Sequence, residues 1–236
     1  MMNKARDRLI VALDVPSAEQ ARALIDTLQG SVGVYKIGLE LLFAGGLKLV
    51  SELITRGDRV FVDAKLLDIE TTVERATAAI ARIGADFLTV HALECKTLDA
   101  AVRGRGDSEL QLLGVTVLTN LDRDDLKEQG IDRVPQELAI YRAMLAQEAG
   151  FDGVVASGKD AVALRQALGP KMLIVTPGIR PEGSASNDQM GITTPAMAIA
   201  AGADYLVVGR PITAAPNPRA AAQAIVGEIA TALAGS

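Results

Sequence analysis

Asp63, Lys65 and Asp68 stand at the spacing D-x-K-x-x-D, where the apolar run Val60-Phe61-Val62 gives out. In a β-strand, side chains two apart share a face, so Asp63 and Lys65 are expected roughly 7 Å apart at Cα, with Phe61 on the same side. Asp68 falls beyond the strand, at the start of a helical pattern, where a carboxylate also complements the helix N-terminal dipole. An ammonium beside carboxylates can stabilise a developing carbanion and deliver a proton to it. A solitary Asp-x-Lys at a strand end is more simply read as a solvated pair, so the weight rests on what surrounds it.

The elements that must position these groups are visible in the period of the chain. Short β-branched runs alternate with longer Ala/Leu-rich segments. Strands are expected at Leu9 to Asp14, Val34 to Ile37, Val60 to Lys65, Phe87 to His91, Leu110 to Leu118, Gly153 to Ala156, Leu173 to Thr176 and Tyr205 to Gly209. Helical spacing marks Ala18 to Leu28, Leu41 to Thr55, Val73 to Ile83, Leu138 to Ala149 and Ala161 to Leu168. Such alternation implies right-handed crossovers and a parallel sheet buried on both faces, which is why Tyr205-Leu206-Val207-Val208 hardly alternates in polarity. Eight units close naturally into a single (β/α)8 TIM barrel. An open nucleotide-binding sheet would carry a G-x-G-x-x-G after the first strand, whereas this strand runs into Asp14-Val15-Pro16-Ser17, with Ser17 placed to cap a helix.

Composition narrows the class. A chain of 236 residues with 49% hydrophobic content can bury one large aliphatic core, so 1–236 is expected to be one catalytic domain. The net charge of -5 presents no basic face to nucleic acid, and no run is long enough for a membrane span. The N-terminus is expected to run directly into the first strand without a signal segment. One cysteine, Cys95, excludes an internal disulfide, and one histidine, His91, excludes a histidine-rich metal site. A soluble cytoplasmic protein is expected.

Barrels of this type assemble their sites at the C-terminal ends of the strands. Collected there are Asp14, Lys36, Asp63, Lys65, His91, Thr119 with Asn120, the run Thr176-Pro177-Gly178-Ile179-Arg180-Pro181, and Gly209-Arg210-Pro211. Two lysines among several carboxylates form an array whose desolvation is costly unless function demands it. The last two strands point to phosphate. Thr176 to Thr193 is long for a connection and carries the small residues Gly183-Ser184-Ala185-Ser186, as a lid would. Gly209 allows close backbone approach, and the Arg210 guanidinium suits a phosphate. The simpler alternative is that Gly209-Arg210-Pro211 is only a turn.

With these residues in view, the chain resembles the orotidine 5'-monophosphate decarboxylase family of bacterial type. The resemblance is carried by Val11-Ala12-Leu13-Asp14, Tyr35-Lys36-Ile37-Gly38, Asp63-Ala64-Lys65-Leu66-Leu67-Asp68-Ile69 and Thr72-Val73. It continues through Val115-Thr116-Val117-Leu118-Thr119, Asp152-Gly153-Val154-Val155, Thr176 to Pro181, Asp188-Gln189 and Val207 to Thr213. It implies conversion of orotidine 5'-monophosphate (OMP) to UMP and CO2, within pyrimidine biosynthesis, using no metal or organic cofactor. It implies a charged tetrad of Lys36, Asp63, Lys65 and Asp68, with Asp68 and Thr72 serving the neighbouring subunit's site across a homodimer. Asp14 and Lys36 would hold the ribose hydroxyls, Thr119 and Asn120 the pyrimidine edge, and Ile69 and Pro177 would lie against the substrate. Arg180, Gln189, Gly209 and Arg210 would engage the nucleotide, chiefly its phosphate.

The chain departs from the family's usual K-F-H-D-I-P-N-T in having Leu66-Leu67 for Phe-His and Glu70-Thr71 for Pro-Asn, and has Asn120 where serine is common. Two alternatives stay open at this point. A magnesium-dependent sugar-phosphate decarboxylase of the same wider group would need an acid near the end of strand 2, where Lys36 stands. A non-catalytic nucleotide-binding protein on this fold would have had no reason to keep Lys65 between its carboxylates.

Overall fold

The computed structural model describes residues 2–181 and 193–235. Eight parallel strands, β1 (Leu9–Ala12), β2 (Val34–Gly38), β3 (Val60–Leu66), β4 (Phe87–His91), β5 (Gln111–Val115), β6 (Gly153–Val155), β7 (Leu173–Thr176) and β8 (Tyr205–Val208), close in sequence order, β8 pairing with β1. The expected (β/α)8 barrel is therefore the architecture. Around it run α1 (Met2–Arg6), α2 (Ala18–Leu28), α3 (Leu39–Leu41), α4 (Leu47–Thr55), α5 (Glu70–Ile83), α6 (Cys95–Arg105) and α7 (Arg123–Glu128). The ring continues with α8 (Pro135–Ala149), α9 (Ala161–Leu168), α10 (Pro195–Ala200), α11 (Arg210–Thr213) and α12 (Pro218–Ala234).

The outward faces of the strands pack on the helices in one large aliphatic shell that includes Leu9, Val11, Ile37, Leu88, Leu112 and Ile225. The inward faces form a second cluster around Ile10, Phe61, Phe87, Leu113, Val175 and Val207. Phe87 meets Phe61 and Tyr205 edge-on, with centroids 5.9 and 5.3 Å away, and the Arg59 guanidinium lies 5.3 Å from the Phe87 centroid. The barrel is thus plugged by apolar side chains in its lower part, leaving only its C-terminal mouth for chemistry.

The lower rim is held by a recurring device. Asp86, Asp152 and Asp204, each just before an even-numbered strand, accept the backbone N–H of Val60, Leu112 and Ile174 respectively at 2.8, 2.8 and 2.9 Å. Each also pairs with an arginine: Arg59 at 3.0 Å, Arg105 at 2.9 Å and Arg165 at 2.6 Å. These carboxylates tie neighbouring strands together where the ladder begins.

Several expected boundaries move. β1 ends at Ala12, not Asp14, because the chain turns at once, with Val15 N–H donating to the Leu13 carbonyl. β5 ends at Val115, not Leu118; Val117 leaves the barrel to join Leu126, Leu138 and Ala139 in a small separate cluster. The N-terminus forms α1 before reaching β1. The expected helix from Leu41 to Thr55 is interrupted by a π turn over Leu42–Gly46, where Gly45 adopts φ 91°, a conformation that side chains resist. Ser17 caps α2 as expected, accepting the Gln20 N–H at 3.2 Å.

Candidate active site

The inward-facing positions at the top of the barrel carry the charges. Asp14 lies two residues beyond Ala12, Lys36 is on β2, Asp63 and Lys65 are on β3, and Thr89 and His91 are on β4. Lys36 Nζ lies 3.1 Å from both Asp14 Oδ1 and Asp63 Oδ2, and Lys65 Nζ lies 2.8 Å from Asp63 Oδ1. A chain of alternating charge, Asp14–Lys36–Asp63–Lys65, therefore crosses three adjacent strands. Burial would push the Asp63 carboxyl up, but the Lys36 and Lys65 ammonium groups outweigh it, and hydrogen bonds from Lys65 and Thr89 add to their effect, holding it below the usual carboxylate range. Burial likewise works against the Lys36 charge, yet Asp63 and Asp14 hold it above the ordinary amine range. Burial, then the charges of Lys65 and Arg142, push His91 below the ordinary imidazole value, against a smaller opposing pull from Asp63.

Lys65 does not sit on a regular strand. Val62 pairs with Leu88 and Leu66 with Val90, so Asp63, Ala64 and Lys65 occupy the space opposite one residue of β4, Thr89. Lys65 has φ 47°, the one positive φ outside glycine among the described residues. Within this bulge the Lys65 ammonium and the Asp63 carboxylate are in contact. Thr89 is the residue missed in the sequence. Its signal was a polar side chain on an inward face between Phe87 and His91. Gly38 leaves room for the Asp14–Lys36 pair, since a Cβ there would stand 3.0 Å from both Asp14 Oδ1 and Lys36 Nζ and would crowd them.

Two adjoining cavities open on the charged chain. The larger, about 340 Å³, runs past Asp14, Gly38, Pro177, Gly178 and Gly209 toward β7 and β8. The smaller, about 180 Å³, is mostly apolar and is bounded by Phe61, Val115, Val117, Leu118, Thr119 and Val155. Lys36, Asp63, Lys65, Pro177 and Val207 line both. A ligand can thus place a polar, anionic part in one and a flat apolar part in the other, with its junction over Lys65.

The remaining expected residues lie around this centre. Asp68 and Ile69 are exposed in the link to α5 and Thr72 is exposed in its first turn; Asp68 Oδ1 accepts the Ile69 N–H at 2.7 Å rather than reaching Lys65 in its own chain. Thr119 borders the apolar cavity, and Asn120 follows it in an exposed turn. Arg180 is half-buried, its backbone N–H donating to the Thr193 carbonyl at 3.1 Å across a single bridge between Ile179 and Thr193. Gly209 borders the larger cavity, and Arg210 is exposed as the first residue of α11, so Gly209-Arg210-Pro211 opens a helix. Gln189 and the small-residue run Gly183 to Ser186 lie outside the described residues. Among the described residues, no group of three or more His, Cys, Asp or Glu side chains is gathered to hold a metal ion, and no helix is long and apolar enough to cross a membrane.

Residues 7–225 match the family described as orotidine 5'-phosphate decarboxylase / HUMPS. The chain belongs to this family. An orotidine 5'-phosphate decarboxylase of Rhodopseudomonas palustris is 54% identical over 227 residues, covering 96% of this chain and 95% of the relative. One from Methylobacterium nodulans is 53% identical over 230 residues, covering 96% and 97%. The crystal structure of orotidine 5'-phosphate decarboxylase from Lactobacillus acidophilus superposes with a TM-score of 0.83 at 36% identity, covering 94% of this chain and 98% of that one. At this likeness over nearly the whole length, the chain is an enzyme of the carboxy-lyase class.

Proposed function

We propose that this enzyme decarboxylates OMP to UMP and CO2, with residues 1–236 acting as one cytoplasmic catalytic domain and no metal or organic cofactor taking part. The observation that carries the reading is the Lys36–Asp63–Lys65 chain, with Lys36 and Asp63 buried and Lys65 half-buried, at the junction of the two cavities. Loss of CO2 from C6 of the pyrimidine leaves an electron pair in the ring plane, where the π system cannot accept it. A fixed ammonium is the remaining means of stabilisation. Lys65, held by Asp63, supplies that charge and then the proton that replaces CO2 at C6. The apolar cavity receives the base beside Thr119 and Asn120, and Asp14 with Lys36 takes the ribose hydroxyls. Gly209, Arg210, Arg180 and Gln189 take the phosphate, while Ile69 and Pro177 flank the substrate. Remote phosphate binding then favours the transition state at C6.

The tetrad becomes complete if Asp68, with Thr72, serves the partner's site in a C2 homodimer. Its exposed carboxylate supports this reading, as do the exposed apolar residues Leu39, Phe43 and Leu47 after β2 and Leu67 and Ile69 after β3, which an interface would cover. Mixing separately inactive Lys65→Ala and Asp68→Ala subunits should restore roughly a quarter of wild-type activity under random exchange, since about half the dimers then carry one intact site. Verified heterodimers without recovery would place Asp68 in its own subunit's site.

Lys36 stands where a magnesium-dependent sugar-phosphate decarboxylase needs an acid, and the retained Lys65 argues against a merely nucleotide-binding role. The decisive assay follows the ultraviolet absorbance of OMP with purified protein in EDTA. Disappearance of the substrate signal is expected; its persistence with folded protein would remove this reading.

A further inference from the structure

The chemistry above uses Asp63 and Lys65 but gives no part to the hydroxyl buried between them. Thr89 is fully buried and is the single residue of β4 facing the three-residue bulge of β3. A bulge leaves ladder groups without their regular partners, and a left-handed φ at a non-glycine residue persists only where its surroundings hold it there. Thr89 meets both needs. Its Oγ1 accepts the Lys65 backbone N–H at 2.9 Å and donates its own proton to Asp63 Oδ1 at 2.9 Å. Since a hydroxyl has one proton, donating it to the carboxylate leaves a lone pair for the amide, so both bonds fix a single rotamer. Asp63 Oδ1 is also the atom that receives the Lys65 ammonium at 2.8 Å. The three contacts close a small ring: backbone of Lys65, hydroxyl of Thr89, carboxylate of Asp63, side chain of Lys65.

We propose that Thr89 is a positioning residue for proton delivery, its hydroxyl locking the Lys65 backbone in the bulge and the Asp63 carboxylate under the Lys65 ammonium. This rests on the reading of Lys65 as the proton donor. Without the hydroxyl, the Lys65 N–H loses its partner, the bulge is free to relax, and the ammonium shifts away from C6. Displacement of a reacting group by about 1 Å lowers a rate by about a hundredfold. Nucleotide binding should depend little on the ring, because the proposed phosphate and ribose contacts lie on other strands and meet it only through the Lys36–Asp63 ion pair, which does not use the hydroxyl.

The test compares Thr89→Val, which keeps the shape and removes the hydroxyl, with Thr89→Ser, which keeps the hydroxyl. Thr89→Val should lower kcat by roughly ten- to a hundredfold, with KM for OMP and Kd for UMP within about threefold of wild type. Thr89→Ser should stay within about fivefold in kcat. Thr89→Ala takes the place of valine if valine does not fold, with the same expectations. The proposal is overturned if the variant without the hydroxyl keeps kcat within threefold, if serine falls as far as valine, or if UMP binding weakens in step with kcat. A wild-type enzyme that leaves OMP unchanged would instead overturn the assigned reaction, and this proposal with it.

Discussion

The two ends of the barrel use the same chemistry, a carboxylate beside a basic side chain, for opposite purposes. At the lower rim, Asp86, Asp152 and Asp204 each bind one backbone N–H and an arginine, Asp204 pairing with a second, Arg8, as well. The scaffold itself completes their hydrogen bonding, so each acts as a clamp between strands. At the mouth, Asp63 accepts from two lysines and a threonine hydroxyl and takes no backbone N–H, although it lies deeper than any of the three. Its two lysine partners face an open cavity, and the third partner, Thr89, is buried behind them. The difference teaches that burial of charge alone does not mark a site. What marks it is buried charge held by movable or reactive groups and left facing space that a ligand can fill.

That contrast is broken or sharpened by four measurements. The largest effect is expected from Lys65→Ala, which should reduce kcat on the order of a thousandfold or more while UMP still binds, because the lost charge acts on one that develops only during reaction. A variant retaining several per cent of wild-type turnover would end the assignment of Lys65 as proton donor. Asp204→Ala at the opposite end should do the reverse. It frees the Ile174 N–H and takes the carboxylate from the Arg165 guanidinium, which keeps the Gly169, Met172 and Gly202 carbonyls, so urea unfolding should show a loss of about 1–3 kcal/mol with kcat little changed. A large kcat defect at full stability would mean that the lower rim communicates with the mouth.

Arg210→Ala should lower kcat/KM for OMP by roughly ten- to a hundredfold, the worth of one or two charge-assisted hydrogen bonds, and leave the unphosphorylated nucleoside nearly unaffected. Equal losses on both would make Arg210 a structural residue of α11. The smallest effect concerns acid stability. A carboxyl held low in the folded state contributes stability above its unfolded pKa of about 4, and that contribution is lost as pH falls through the folded value. Lys65→Met removes one of the two ammonium groups holding Asp63 low, so its thermal midpoint should begin to fall at a higher pH than that of wild type. Superimposed acid limbs would show that Lys36 alone sets the charge of Asp63.

Much of this was legible because periodicity survives in the residues. All eight strands and the helices Ala18–Leu28 and Ala161–Leu168 stand where alternation and apolar spacing predict them. The failures are local and physical. Leu13 and Thr116 to Leu118 continue an apolar run after the chain has turned away, so pattern overshoots the strand. The break at Gly45 hides inside helical spacing that resumes at Leu47. Asp63, Lys65 and Lys36 were legible from type and strand position. The bulge was not, because D-A-K reads like any alternating strand, and Thr89 was not, because a β-branched residue within a strand needs no further explanation. Asp68 was visible as an acid at a helix start, and in its own chain it faces solvent rather than Lys65.

The bulge at Lys65 also bears on how such a centre can be borrowed. A designer who copied Asp63-Ala64-Lys65 into a flat parallel strand of another barrel would obtain the same letters without the left-handed backbone at Lys65 and without the hydroxyl that holds the lysine and its acid in one arrangement. The transferable unit is a pair of strands: one with surplus length, the other with a hydroxyl at the gap.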